Sequence, residues 1–265
     1  MQVFEFSFRS KFEKEKEIKS VFFEPKIQKE KKVASVYFLG EKSISNEEIS
    51  LQEIWSIFRE SFYQKEKISF QKTFEESIKK VNLFLKEKSK RSFFPDLSLL
   101  FFAIEDKKFA LAKLGKIKAR LIREGKCFDI FKEKNENFVL KLVFGKSLFE
   151  DLILILTDEI FEIFEKTKIF EHLKKMGPFN LKEFKAILES KNKEITKPGV
   201  CTLFFFEKEE VKFSKESFKL EEKLKYEVEK GGEFLLKILK NKRVSLVLAF
   251  LFFLLLSFIL SYFFG

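Results

Sequence analysis

The chain has 265 residues, 45% hydrophobic and 35% charged, with 39 Phe, only 4 Pro and 9 Gly, and 52 basic against 41 acidic side chains that leave it at +11. This composition excludes collagen-like and disordered classes, and a stock of 2 Cys and 1 His excludes a disulfide framework, a Cys/His zinc site and a histidine cluster. The positive charge does not imply a nucleic-acid partner, because acids alternate with bases nearly everywhere, as in Glu13-Lys14-Glu15-Lys16-Glu17, whereas a phosphate-tracking groove needs a basic stripe with few acids in it.

The N-terminus, MQVFEFSFRS, alternates polar and apolar residues and has no apolar block behind a basic start, so it reads as a strand and not as a secretory signal. Residues 1–40 hold two extended runs divided by Pro25, the second containing Val33, Ser35, Val36, Tyr37, Phe38 and Leu39. Helices are predicted over 46–64 and 70–88. Ser45 and Glu48 fit a capping box for the first, and Leu51, Ile54, Trp55, Phe58 and Phe62 fall at helical spacing. Phe70, Phe74, Ile78, Val81 and Leu85 make the second stripe, and both stripes are read as core faces.

From 97 to 156 the pattern returns to strands. Leu97–Ile104 and Phe109–Leu114 flank the turn Glu105-Asp106-Lys107; Ile117–Arg123 and Cys127–Phe131 flank Glu124-Gly125-Lys126; Phe138–Phe144 and Leu152–Leu156 follow. Helices are then expected over Glu159–Lys166, Thr167–Met176 and Asn180–Ser190, the last capped by Asn180 with Glu183, before a final strand Val200–Phe206. Antiparallel strands with helices grouped in pairs predict an α+β layered sandwich and not a βαβ repeat.

Beyond residue 206 the chain is charged as far as Gly231-Gly232, the best boundary, and then Val244 to Phe264 runs without a charge. At about 1.5 Å per residue this block covers about 30 Å, the thickness of a bilayer's hydrocarbon core, and Ser245, Ser257 and Ser261 are too few to give it a polar stripe. It is read as a transmembrane helix. Lys237, Lys240, Lys242 and Arg243 precede it and suit anionic cytoplasmic headgroups, while Tyr262 suits the opposite interface. The expected organisation is a cytoplasmic domain over 1–206, a charged helical juxtamembrane linker over 207–243 and a single span over 244–264 in the cell membrane, with membrane lipid as one partner.

Several chemistries fail on inspection. His172 lies in a charged helical run with no nucleophile motif near it, and Cys127 and Cys201 sit in apolar strands with no CxxC spacing. Gly145-Lys146-Ser147 matches the end of a phosphate-binding loop, but Leu140 stands where the earlier glycine is required. What remains is an acidic pair, Glu150-Asp151, opening the strand Leu152–Leu156, with Thr157-Asp158 emerging at its other end before a helix. A strand end can present Asp158 to a metal; equally, Thr157 or Asp158 can cap the helix that follows.

Three segments in order carry a family resemblance. Leu114–Lys126, LGKIKARLIREGK, resembles the "vGDSRaYLiRdGk" hairpin of the PPM-type (PP2C-like) metal-dependent protein phosphatases. Asp151–Phe161, DLILILTDEIF, resembles their "GDxlLLxTDGLfe" segment, and Gly199–Phe206, GVCTLFFF, resembles their closing "DNxTvvvv" strand. The helices at 46–64 and 70–88 fall where that family places a helical layer. The resemblance spans roughly 33–206 and implies a four-layer αββα sandwich (PP2C-like), ahead of the C-terminal transmembrane helix. It also implies two divalent cations, Mn or Mg, held between carboxylates so that a bridging water becomes a hydroxide.

At those carboxylates the chain departs from the family pattern. The first aspartate position, near Val36–Glu41, is apolar, and only Gly40 and Glu41 resemble its motif. Gly115 keeps its place but Lys116 stands for the acidic partner; Glu159 replaces the glycine after Asp158; residues around Lys197-Pro198-Gly199-Val200 replace the last aspartate and asparagine. Asp158 is left as a vestigial metal ligand, with Gly40, Glu41, Gly115, Lys116, Asp151 and Glu159 expected on the cleft rim. One carboxylate among lysines cannot balance a charge of +4, so no cofactor and no catalytic residue are expected. The resemblance therefore implies a membrane-anchored pseudophosphatase that binds another protein or a phosphopeptide. Two alternatives stand beside it: an active phosphatase using Mn or Mg through Glu41, Asp151, Asp158 and Glu159, and a structural membrane protein associating through its cytoplasmic domain.

Overall fold

The strands of this chain alternate between two apolar faces, so each central strand has to be covered on both sides. The computed structural model describes residues 1–8, 16–25, 34–45, 48–64, 69–89, 96–131 and 140–207. In chain order these form β1 (Gln2–Phe8), β2 (Lys16–Phe23), β3 (Ser35–Ser43), α1 (Leu51–Gln64), α2 (Phe70–Ser89), β4 (Ser98–Glu105), β5 (Lys108–Leu114), β6 (Lys118–Arg123), β7 (Lys126–Asp129), β8 (Lys141–Lys146), β9 (Leu152–Leu156), α3 (Asp158–Lys166), α4 (Ile169–Lys175), α5 (Leu181–Ser190) and β10 (Gly199–Phe205). The span at 244–264, its flanking Lys237, Lys240, Lys242, Arg243 and Tyr262, and the Gly231-Gly232 boundary lie outside the described residues. Among the described residues no helix is long and apolar enough to cross a membrane.

Two antiparallel sheets result, ordered β1-β10-β9-β6-β7 and β2-β3-β4-β5-β8. Alternation sorts their side chains into layers. Val36 and Phe38 of β3, Leu99 and Phe101 of β4 and Ala110 and Ala112 of β5 meet the α1 and α2 stripes. Their opposite-facing neighbours Tyr37, Leu39, Leu100, Phe102, Phe109 and Leu111 meet Ile153 and Ile155 of β9 and Phe204 of β10 between the sheets. On the far side Leu152, Leu154, Leu156, Cys201 and Leu203 meet α3, α4 and α5. The order helix–sheet–sheet–helix is the expected αββα sandwich, and every residue of both predicted stripes is buried.

Two local expectations shift. Helix α1 begins at Leu51 rather than near 46: Ser50 Oγ accepts from the Glu53 N–H at 3.3 Å, whereas Ser45 Oγ lies 2.8 Å from Ser43 Oγ, in the turn that ends β3. Strand β3 runs on to Ser43, past the expected Leu39, so that Ser45 falls in the turn directly after it. The cap of α5 is as read, with Asn180 Oδ1 accepting from Lys182 N–H at 3.0 Å and Glu183 N–H at 3.3 Å.

Candidate functional site

The antiparallel registers bring one set of strand ends together. Glu41, near the end of β3, lies opposite Ser98 at the start of β4; Leu156, at the end of β9, lies opposite Lys118 at the start of β6. Thr157, buried, follows β9 and is fastened to β10 by two hydrogen bonds: its N–H donates to Val200 O at 3.0 Å and its Oγ1 accepts from the Val200 N–H at 3.2 Å. That use of the hydroxyl explains why Thr157 occupies the N-cap of α3 without a side-chain cap bond. Asp158 and Glu159 then open α3, where carboxylates suit the positive end of the helix.

Charge in this cleft is organised by lysines. The Lys16 ammonium, at the start of β2, donates to Glu41 Oε1 at 2.6 Å and also to Glu159 Oε1. Lys118 Nζ stands 3.6 Å from Asp158 Oδ1 and 5.4 Å from the centre of the Phe161 ring. Burial pushes the Glu41 carboxyl up, against the pull of the Lys16 hydrogen bond, and the charges of Glu159 and Asp158 add to the rise. Burial pulls the Lys16 ammonium down, but its hydrogen bonds to Glu159 and Glu41 outweigh that and hold it above the ordinary lysine value. Glu159 also feels burial as an upward push, which the Lys16 hydrogen bond and its own backbone N–H overcome, so its carboxyl sits below its ordinary range. One ammonium thus leaves its two carboxylates shifted in opposite directions, because Glu41 is the deeper and faces two other acids. Lys113, on the inter-sheet face of β5, completes the group; burial first and Lys118 second push its amine down to about 8.

Of the rim residues expected from sequence, Glu41, Asp158 and Glu159 do converge. Gly115 and Lys116 form the β5–β6 turn at the same end, with the Lys116 N–H donating to Ser98 Oγ at 3.0 Å. Gly115 has φ +74, and a Cβ there would meet Leu97 O at 2.6 Å, so the turn is closed to other residues. Gly40 is adjacent in sequence but turned away: a Cβ on it would meet the Phe38 ring and Leu51, on the helical side of the sheet. Asp151 is at the other end of β9. It is 1% exposed, takes Arg123 Nε at 2.8 Å and Nη2 at 2.6 Å, and accepts the Leu148 N–H at 2.6 Å. It is a structural ion pair, and it does not reach the cleft.

Two residues that matter here were not singled out from the sequence. Lys16 sits inside the Glu13–Glu17 alternation and reads as solvated surface; only its place diagonal to Glu41, fixed by the register Lys16↔Ser43 and Ile18↔Glu41, brings it inward. Lys113 carried a local signal, since it continues the buried phase of Phe109 and Leu111.

The divalent pair implied by the resemblance does not fit these residues. Two cations need several open carboxylates, whereas among the described residues no three Asp, Glu, His or Cys side chains come close enough together to hold a metal ion, and the acids that do converge are already engaged by Lys16 and Lys118.

Comparison with solved structures agrees with the architecture. The chain is similar to the serine/threonine phosphatase Stp1 from Staphylococcus aureus, at 11% identity and a TM-score of 0.58, over 76% of this chain and 93% of that one. It is similar to a bacterial serine phosphatase at 13% identity and 0.56, over 77% and 96%, and to the PP2C phosphatase domain with part of the regulatory domain of the cell fate determinant SpoIIE from Bacillus subtilis at 13% and 0.51, over 76% and 62%. At such identities the likeness is one of fold, and the fold is PP2C-like. No protein-family model and no curated protein matches the chain.

Proposed function

We propose that this chain is a membrane-anchored PP2C-like domain that has lost phosphoryl hydrolysis and acts as a binding or regulatory module at the cytoplasmic face. One observation carries the reading: the three acids gathered at the cleft, Glu41, Asp158 and Glu159, are each ion-paired with a lysine. A metal-bridged hydroxide needs those oxygens free and needs charge of both cations balanced. The uncharged run Val244–Phe264 behind Lys237, Lys240, Lys242 and Arg243 supports the anchor and its orientation. For the partner, the exposed Lys116 turn beside Lys118 suits an anionic protein segment or a phosphopeptide bound by point charges.

The test is turnover. The full chain, incubated with manganese or magnesium and either an aryl phosphate or a phosphopeptide, should release no phosphate above buffer, and Asp158→Ala should behave identically. Metal-dependent release that Asp158→Ala abolishes would establish an active phosphatase instead. For the anchor, alkaline washing of membranes should leave the chain in the pellet, and deleting 244–264 should release it.

A further inference from the structure

The contact among Lys16, Glu41 and Glu159 joins the two halves of the sandwich. Lys16 and Glu41 belong to the β2–β3 edge of one sheet, while Glu159 starts α3, the helix packed on the other sheet. Glu41 is 4% exposed. One of its oxygens accepts from Lys16 at 2.6 Å; the other, Oε2, is buried without a hydrogen-bond partner. A buried carboxylate left without compensation is costly, and apart from Lys16 the charges that act on Glu41 are those of two more acids, Glu159 and Asp158, which oppose its ionisation. Its ionised form therefore depends on Lys16.

We propose that the Lys16 ammonium is the resident cation of this cleft: tethered through β2, it neutralises and cross-links Glu41 and Glu159, and it occupies the space a divalent cation would need between them. This deepens the non-catalytic reading and rests on it, since an ammonium balances charge but cannot acidify a bound water as a metal does. Removing the ammonium should leave oxygen donors facing one another across the cleft, which is a weak site for one hard divalent cation.

The experiment follows the melting temperature of the full chain in detergent while MnCl2 is titrated, with calorimetric titration alongside. Manganese should leave the wild-type Tm unmoved. Lys16→Ala should melt roughly 5 °C lower, regain at least half of that loss with manganese, and bind it about tenfold more tightly than wild type, the change a modest gain in site energy produces. Lys16→Arg should keep both the wild-type Tm and the indifference to manganese. The double variant Lys16→Ala/Glu41→Gln should lose the manganese response, which ties the new site to Glu41. Should Lys16→Ala not fold, Lys16→Met keeps the packing of the stem and carries the same expected response. A Lys16→Ala or Lys16→Met chain that melts like wild type, or that responds to manganese no more than wild type, overturns the assignment while leaving the non-catalytic reading intact. Manganese-dependent turnover by the wild type removes the non-catalytic reading itself.

Discussion

Lys113 illustrates what one polar residue does in an apolar phase. It follows Phe109 and Leu111 into the layer between the sheets, and burial, then the neighbouring Lys118, bring its amine down to about 8 from an ordinary 10.5, with Asp158 and Asp129 pulling the other way. Between those two values the folded chain holds fewer protons than the unfolded one, so stability from this site rises with pH across that window. Below about 8 both states are charged and the cost of the buried charge is present in full. Lys113→Met should therefore stabilise the protein at neutral pH by on the order of 1 kcal/mol, less than the shift alone suggests because the contact of the ammonium with the Phe131 ring, 5.5 Å from its centre, is lost as well. The advantage should shrink as pH climbs toward 10.5. Urea melts of the two proteins at neutral pH and in the alkaline window measure both effects, and a constant difference at the two pH values would refute this account.

At the scale of elements, the start of α1 shows how far local patterns go. Ser45-x-x-Glu48 and Ser50-x-x-Glu53 are both S-x-x-E boxes, and nothing local chooses between them. The choice is made by β3, which pairs with β2 and β4 as far as Ser43 and Glu41 and so claims the first box for a turn. Ser50→Ala is expected to cost about 1 kcal/mol and Ser45→Ala only a few tenths; chemical denaturation of the two variants reads the ranking, and equal losses would move the cap back to Ser45. The same division runs through the rest of the molecule. The helical stripes, the strand Leu152–Leu156 and the Asn180 cap were legible because each is a local periodicity or a two-to-three-residue hydrogen bond. Asp158 was legible because it ends that strand. The grouping of Glu41 with Asp158 came from the resemblance and not from any local pattern. Asp151 was misplaced because a five-residue strand separates the acids at its two ends by about 20 Å, at about 3.3 Å per residue, which a motif written on one line does not display. Lys16 was invisible for a like reason: its role depends on its register with β3, which sets it diagonal to Glu41, and on Glu159, which is remote in sequence.

For the whole molecule, the decisive feature is that three apolar layers share two sheets. Phe204 shows the consequence: fully buried in the middle layer, its ring centre lies 5.4 Å from that of Tyr37 and 4.6 Å from that of Phe102, both on the opposite sheet. Neither sheet can leave the other without exposing this layer, and neither helical layer has a sheet to cover once its own sheet unravels. The two-sheet sandwich should therefore unfold in one step. Two built-in probes report from opposite sides: Trp55, the single Trp of the chain, packs in the α1 layer, and Cys201 packs in the layer of α3, α4 and α5, where burial pushes its thiol far up and keeps it unreactive. In a Cys127→Ser background, loss of Trp55 fluorescence and labelling of the Cys201 thiol should follow the same denaturant curve. Phe204→Ala, expected to cost about 3–5 kcal/mol, should move both curves together to lower denaturant. If the thiol labels well before Trp55 responds, the sheet carrying β10 opens on its own, and the middle layer does not couple the two halves as its packing requires.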